Sequence, residues 1–425
     1  MLGRPTAPQT IAGSSMSRDP FQELDEHMGG DLRDPYPEFA RRRRSAPVMH
    51  GSLMGVPVPG FGPDDTFTLL RFDDCSAALR DAATFSSRVY DGTIGLAMGH
   101  TILGMDDPEH RKYRNLVTQA FRQSTLERWE PSLVAPVCNA LVDRFAGTGA
   151  AELVAEYTSE LPTRVIARFL GLPDDDLAQF QRWSAELIGV GVDAERGLAA
   201  SANLRDYFAE VVAEKRAHAG DDVISDLVAA GVDGEILADE VIYSFLRLLL
   251  PAGVETTRRS TGNLLYLLLS HPKQLSRVQM KRKLLSQAIE EALRVESPLL
   301  FINRITTRRV EVGGVAIPED SSVEVCLGSA NHDEERWVDP DDFDILRPAK
   351  PHLAFATGVH MCLGMHLARM EMRVAATVLL DRLEELRLDP RGEEGKTADP
   401  HIEGMVFRSP SSLPVAFRAS RRSVP

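Results

Sequence analysis

The chain has 425 residues, with 48 Lys and Arg against 62 Asp and Glu, a formal charge of −14. With 43% hydrophobic and 26% charged residues it is globular rather than disordered in character, and its acidity argues against a nucleic-acid binder, which carries a basic field. Its four cysteines (Cys75, Cys138, Cys326, Cys362) lie far apart with no CxxC, which excludes a disulfide scaffold and the usual structural zinc spacings and fits a reducing cytoplasm.

Residues 1–20, rich in Pro, Ser, Thr and Gly, form an expected flexible tail without the apolar stretch of a secretory signal. Residues 21–425 are expected to fold as a single domain, mainly α with minor β-sheets. No run of 18 apolar residues is present, so no membrane span is expected; the longest candidate, 241–254, is broken by Arg247 and Pro251. In chain order, Asp34-Pro-Tyr-Pro37 opens a first helix that ends in Arg41 to Arg44, a charge run expected on a solvated face. Residues 47–72 carry turn signals and short apolar stretches consistent with strands. Residues 84–105, with four glycines, look like loop. Asp106-Asp107-Pro108-Glu109 is a helix start, with Pro108 in the first turn. Helix after helix is expected from there to about Ala219.

Residues 234–270 predict one very long helix, with Ile242, Phe245, Leu246 and Leu249 at i, i+3, i+4 and i+7. At 1.5 Å per residue such a helix would span roughly 55 Å. Pro251 and Gly253 fall inside it and predict either a kink or a close approach by another element. Residues 304–330 switch to strand character around Gly313-Gly314. Helix resumes near Leu363, and Asp389-Pro-Arg-Gly392 is a turn.

The stretch Phe355-Ala-Thr-Gly-Val-His-Met-Cys-Leu-Gly364 is the most informative. It delivers a cysteine at the start of a helix, where free N–H groups and the macrodipole favour a thiolate. Gly358 and Gly364 would let backbone approach a flat partner. An arbitrary cysteine is more often a buried structural residue, but this loop composition argues otherwise. Zinc binding through His360, Cys362 and His366 lacks a paired second ligand cluster, with only His352 nearby.

Phe355, Gly358, His360, Cys362 and Gly364, followed by Leu367-Ala368-Arg369, resemble the signature of the cytochrome P450 family, and further matches run from about Asp34 to Phe417. The resemblance implies the fold of that family, with the long helix crossing a haem b cofactor, and Cys362 as the ligand of its iron. A thiolate there pushes electron density towards iron and favours O–O cleavage. Glu291 and Arg294, with Arg347, resemble the family's structural triad, a buried carboxylate shared by two guanidiniums. Glu-x-x-Arg alone is only a helical i,i+3 pair. The resemblance places His110, Arg114, Arg304 and His360 at the haem propionates, through charge-assisted bonds of about 1.5–3 kcal/mol each. Any one of them alone could be an ordinary surface charge.

Ala252-Gly-Val-Glu-Thr256 is similar to the family's oxygen-activation motif. It implies room for dioxygen beside Ala252 and Gly253, and a proton relay through Glu255 and Thr256. The bland alternative is an acid facing solvent and a threonine bonded back to its own helix. The acid–Thr pair favours dioxygen and external electrons over peroxide. No flavin or iron–sulfur domain is fused, so a separate ferredoxin and ferredoxin reductase are implied as donors. An acidic ferredoxin would meet a locally basic face, for which Arg111, Lys112, Arg114 and Arg122 are candidates. By family position the substrate would touch Ile94, Leu96, Met98, Ile102, Leu249, Leu300, Phe301, Val406 and Phe407, all apolar, which implies an apolar substrate of steroid, terpenoid, fatty-acyl or polyketide class. The helices between about Leu170 and Ala219 would form a lid. The resemblance therefore implies a haem-thiolate monooxygenase. The alternatives are desaturation, C–C coupling or peroxygenation on the same cofactor, or a non-catalytic haem sensor.

Overall fold

The computed structural model describes residues 24, 32–55, 58–118, 121, 123–232, 235–389, 391 and 399–419. The expected tail at 1–20 and the candidate Arg122 lie outside them.

Helix α1 (Tyr36–Ser45) carries the arginine run. Arg41 and Arg44 are exposed as expected, but Arg43 is buried. Arg43 reaches Ser329 Oγ at 2.9 Å, the His332 carbonyl at 2.7 Å and Glu334 at 2.9 Å. One guanidinium thus staples α1 to the chain near residue 330. Helix α2 (Phe72–Arg80) follows, and a short α3 (Gly95–Met98) forms inside the segment expected as loop. Helix α4 (Glu109–Thr118) begins one residue after Pro108, which lies outside it. Helices α5 (Ala135–Asp143), α6 (Glu160–Phe169), α7 (Leu177–Ile188) and α8 (Ala194–Ala217) come next. Asp193 caps α8 by accepting from the Arg196 N–H at 3.0 Å, which satisfies one of the first-turn donors that a helix leaves free.

Helix α9 (Asp239–Ser270) is the long one, 32 residues and about 48 Å. It starts later than the periodicity predicts: Glu235–Ile236 form a short strand instead, and Asp239 and Glu240 occupy the first turn, where acids complement the macrodipole. It runs unbroken through Pro251. Of the two expectations for Pro251 and Gly253, close approach is the one observed. A Cβ on Gly253 would sit 3.1 Å from Ile166 Cδ1 of α6, so the missing side chain is what lets the two helices cross closely. Helix α9 also packs on α7, α8, α10 (Leu284–Val295) and α11 (Met365–Arg382). Its residues Ile242, Leu246, Leu250, Val254 and Leu264 are completely buried, and each such side chain stabilises by about 1.5–3 kcal/mol.

The strands β1 (Val48–His50), β2 (Thr66–Leu69) and β3 (Phe85–Ser86) join a later pair in one sheet of order β1-β2-β6-β5-β3. That pair is β5 (Phe301–Thr306) and β6 (Ser322–Cys326). The stretch expected to be purely helical is interrupted by β4 (Ala150–Glu152). It forms because the end of the chain supplies a partner: β7 (Glu384–Leu388), β8 (Pro414–Arg418) and β4 make a second sheet in the order β7-β8-β4. A hairpin, Val310–Val312 with Val315–Ile317, turns at Gly313-Gly314 as the sequence indicated.

Helix α11 holds one unexpected group. Glu371 is buried, and its Oε2 has no hydrogen-bond partner. Burial alone pushes its carboxyl well above the usual range, so it is held protonated.

Candidate active site

The loop before α11 delivers Cys362. Its N–H donates to the Phe355 carbonyl at 2.9 Å, which closes the loop on itself. Ala356 and Gly358 have φ of 57° and 79°. A Cβ on Gly358 would lie 2.2 Å from the Leu79 carbonyl oxygen at the end of α2. Gly358 is therefore required by conformation and by packing against α2. Gly364 directly precedes α11. Phe355 lies under the Arg369 guanidinium, 4.5 Å from ring centroid to Cζ, and Arg369 is bonded to Glu290 at 2.7 and 2.8 Å. Cys362 is the only exposed cysteine of the four. The protein packed around it raises its thiol, while the Gly364 N–H, Arg114 and Arg369 pull the other way and favour a thiolate.

Beside this loop the four residues assigned to propionates converge. His110 and His360 lie ring to ring, centroids 4.0 Å apart. His110 is buried, and neither of its ring nitrogens has a hydrogen-bond partner; Asp107 is 3.6 Å away. His360 Nε2 is also unpartnered. Arg114 donates to the Met361 carbonyl. Arg304 is buried and donates to the Asn303 carbonyl at 2.7 Å. Burial, then His110, Arg304 and Arg114, push the His360 imidazole down to about 3. Cations and orphaned ring nitrogens crowd one place beside an exposed thiol and are short of an anion. That donor set fits a cofactor with two carboxylates and a metal that takes a thiolate.

Across α9, Ala252 is exposed and Thr256, one turn on, shares its face. Thr256 Oγ1 donates to the Ala252 carbonyl at 3.0 Å. Gly253, as shown, faces α6 rather than this side. Glu255 also departs from expectation: it is buried and neither faces solvent nor shares the open side of Thr256. Arg258 Nε and Arg259 Nε donate to it at 2.6 Å each, and Arg259 continues to Ser409 Oγ at 3.0 Å. Burial pushes its carboxyl up, but Arg258 and Arg259 outweigh burial and hold it below the usual range. The second triad is assembled as expected. Glu291 accepts from Arg294 at 2.8 and 2.9 Å and from Arg347 at 2.8 Å. Arg294 also donates to the carbonyls of Asn331, Pro340 and Asp342.

The apolar residues expected at the substrate divide. Met98, Ile102 and Leu249 are buried in the main core, with Ile94 partly buried against it. Leu96 is 66% exposed and Leu300 and Phe301 belong to a separate cluster with Tyr36, Phe39 and Leu70. Leu96 thus sits on the surface, and the Leu300–Phe301 pair packs against α1. The segments 299–301 and 405–407 do meet, through a Leu299–Phe407 bridge and a 3.0 Å bond from the Leu300 N–H to the Val406 carbonyl. Val406 is buried, and Phe407 lies 5.1 Å below the Arg259 guanidinium. The motif reading left out Glu290, which ties Arg369 to the cysteine loop; an isolated helical acid carries no sequence signal. Arg247 interrupts an apolar run, and a lone charge at such a position is itself a sequence signal.

A family model described as Cytochrome P450 matches residues 56–413. The chain is 34% identical over 400 residues to the cytochrome P450 monooxygenase PikC of Streptomyces venezuelae, covering 92% of each. It is 34% identical over 395 residues to the nocardicin C N-oxygenase of Nocardia uniformis subsp. tsuyamanensis, covering 90% of this chain and 96% of that protein. Among solved structures, cytochrome P450 CYP109Q5 from Chondromyces apiculatus superposes with a TM-score of 0.81 at 36% identity, over 92% of this chain and 97% of that one.

Proposed function

The chain belongs to the cytochrome P450 family of haem-thiolate monooxygenases, and on that premise we propose that it inserts one atom of dioxygen into an apolar small molecule, most simply as a hydroxylation, with electrons from a separate ferredoxin and ferredoxin reductase. The observation that carries this reading is the anion-deficient cluster of His110, His360, Arg114 and Arg304 beside the exposed Cys362. Cys362 would hold the iron of haem b, and Arg114 and Arg304, with the ring N–H groups of His110 and His360, its propionates. When bound, haem supplies the redox-active iron at which dioxygen is reduced and split.

The remaining chemistry belongs to the chain. Thr256 presents a hydroxyl on the open face of α9, beside Ala252; by turning from the Ala252 carbonyl it can hold a proton or a water there. Glu255 starts as a charged acceptor clamped by two arginines. It enters a proton relay only by exchanging one of those bonds for a water on the Thr256 side.

On the other side of the cysteine loop lies a groove of about 440 Å³ lined by Arg80, Arg336, Lys350, Arg369, Asp73 and Glu290, among others, together with Met361 next to Cys362. Cations outnumber acids there despite the net charge of −14, which suits an acidic electron donor better than Arg111, already paired with Asp107 at 2.8 Å. No described helix is long and apolar enough to cross a membrane, and four free cysteines suit the cytoplasm.

The reduced, carbon monoxide-treated protein should show the strongly red-shifted Soret band of thiolate ligation, and Cys362→Ser should abolish it. Turnover under labelled dioxygen should place one labelled atom in the product. An unshifted carbonyl band in the wild type, or products without label, would overturn the reading.

A further inference from the structure

Seven arginines are buried among the described residues: Arg43, Arg247, Arg258, Arg259, Arg294, Arg304 and Arg408. Five of them are paired with a glutamate. Arg43 meets Glu334, Arg258 and Arg259 share Glu255, Arg294 meets Glu291, and Arg408 meets Glu296. The pattern follows from the cost of placing an uncompensated charge away from water. Two have no carboxylate among the described residues. One is Arg304, which the proposed function assigns to an anionic cofactor. The other is Arg247.

Arg247 projects from α9 into the junction between that helix, α3 and α8. Its partners are all neutral: the Tyr243 carbonyl at 3.3 Å, the Ala97 carbonyl at 3.4 Å, Ser244 Oγ at 3.4 Å and Ser201 Oγ at 2.9 Å. Only the last is of ordinary length for a hydrogen bond. A guanidinium carries five N–H donors, so this one is poorly satisfied as well as unneutralised. The nearby acid Glu240 is taken by Arg205. Burial pushes the Arg247 guanidinium down. The loop after α3 comes close to the guanidinium at the same point. Gly99 has φ of 84°, and a Cβ there would come 2.5 Å from Ser244 Oγ and 3.1 Å from Arg247 Nη2. Arg247 is followed by Leu248 and Leu249 and lies five residues, about 7.5 Å along the axis, before Ala252. It stands where the loop after α3, helix α8 and helix α9 meet, beside the apolar residues expected to touch substrate.

We propose that Arg247 binds an anionic group of the substrate, so that the molecule oxidised is an apolar body bearing a carboxylate. This rests on the monooxygenase reading above and narrows its substrate class. A carboxylate accepts two parallel N–H bonds from one guanidinium. It would replace the long contacts to Ala97 and Ser244. Ser201 Oγ, which donates to the Ala97 carbonyl, then orders α8 over the bound acid.

The test uses the haem-loaded protein in chloride-free buffer at pH 7.5. Dissociation constants are read from the spin-state shift for three acids and their alcohol counterparts: dodecanoic acid and dodecanol, 4-butylbenzoic acid and its benzyl alcohol, and a steroid carboxylic acid and its alcohol. In the wild type at least one acid should bind tenfold or more tightly than its alcohol. Arg247→Gln should bring that ratio within about twofold, and Arg247→Lys should keep part of it. If no acid outperforms its alcohol in the wild type, whether both bind or neither does, the assignment falls, and this holds even if the variants fail to fold. It falls equally if Arg247→Gln weakens acid and alcohol alike, which would make the arginine a clasp between helices. The carbonyl band of the same samples separates these outcomes from failure of the haem-thiolate reading.

Discussion

Two places in this molecule are built from the same parts, and they are not equivalent. At Glu291 and at Glu255, one buried carboxylate is shared by two guanidiniums. At Glu291 the second arginine comes from 56 residues away, the Asp344 N–H adds a bond at 3.1 Å, and Arg294 continues to three distant carbonyls. Breaking that cluster disconnects several segments. At Glu255 both arginines are neighbours on its own helix, at i+3 and i+4. The helix persists whether or not the acid keeps its partners. Long-range partners make a triad a fastening; local partners leave the acid free to be exchanged.

The largest expected effect tests the fastening. Glu291→Ala strands two guanidiniums, at a cost of about 3–5 kcal/mol. Urea unfolding should register that loss, and little protein should retain the carbonyl band. Glu255→Gln should keep the band but slow product formation about a hundredfold, within the range of a general acid–base contribution. If it loses the band as Glu291→Ala does, the two triads are alike and the relay has no support. Thr256→Ala in the same assay should divert reducing equivalents to hydrogen peroxide, while Thr256→Ser should not.

A smaller effect separates the position of α9 from the chemistry of Glu255. Gly253→Ala sets a methyl 3.1 Å from Ile166 Cδ1; overpacking of this kind costs about 1–3 kcal/mol. Ile166→Val in the same chain should restore much of the stability. If it does not, the crossing is not what the glycine serves.

The smallest effect comes from a buried acid with no arginine at all. Glu371 is held protonated by burial, whereas an unfolded Glu ionises near 4.3. Above that value the native state holds a proton that the unfolded chain has released. Stability attributable to this group therefore declines as pH rises from about 4.5 towards its raised native value. Glu371→Gln removes that slope. The thermal midpoint of the variant should gain on that of the wild type between pH 5 and 8, and parallel curves would show that Glu371 does not titrate.

The legibility of the sequence varied for physical reasons. Cys362 and its loop could be read because every residue needed lies within ten positions. The long helix was legible from its 3.6-residue period, but its start was not, since the strand at Glu235–Ile236 depends on pairing with Gly231–Val232. Strand β4 was missed because its partner lies more than 250 residues downstream, at Pro414–Ala416. The packing of Leu300 and Phe301 was not legible because apolar character gives no direction: they fill a pocket against Tyr36 and Phe39 that only the folded chain creates. Glu255 was recognised as part of a motif, but its clamp could not be read, although Arg258 and Arg259 stood three and four residues on.

One glycine of the cysteine loop carries a consequence for how this sequence can drift over time. Gly358 has no permissible neighbour in mutation space: any side chain there meets the Leu79 carbonyl and also an unfavourable backbone angle. Lineages descending from this gene can lose that glycine only if the end of α2 is rebuilt with it, so the two segments should change together or not at all.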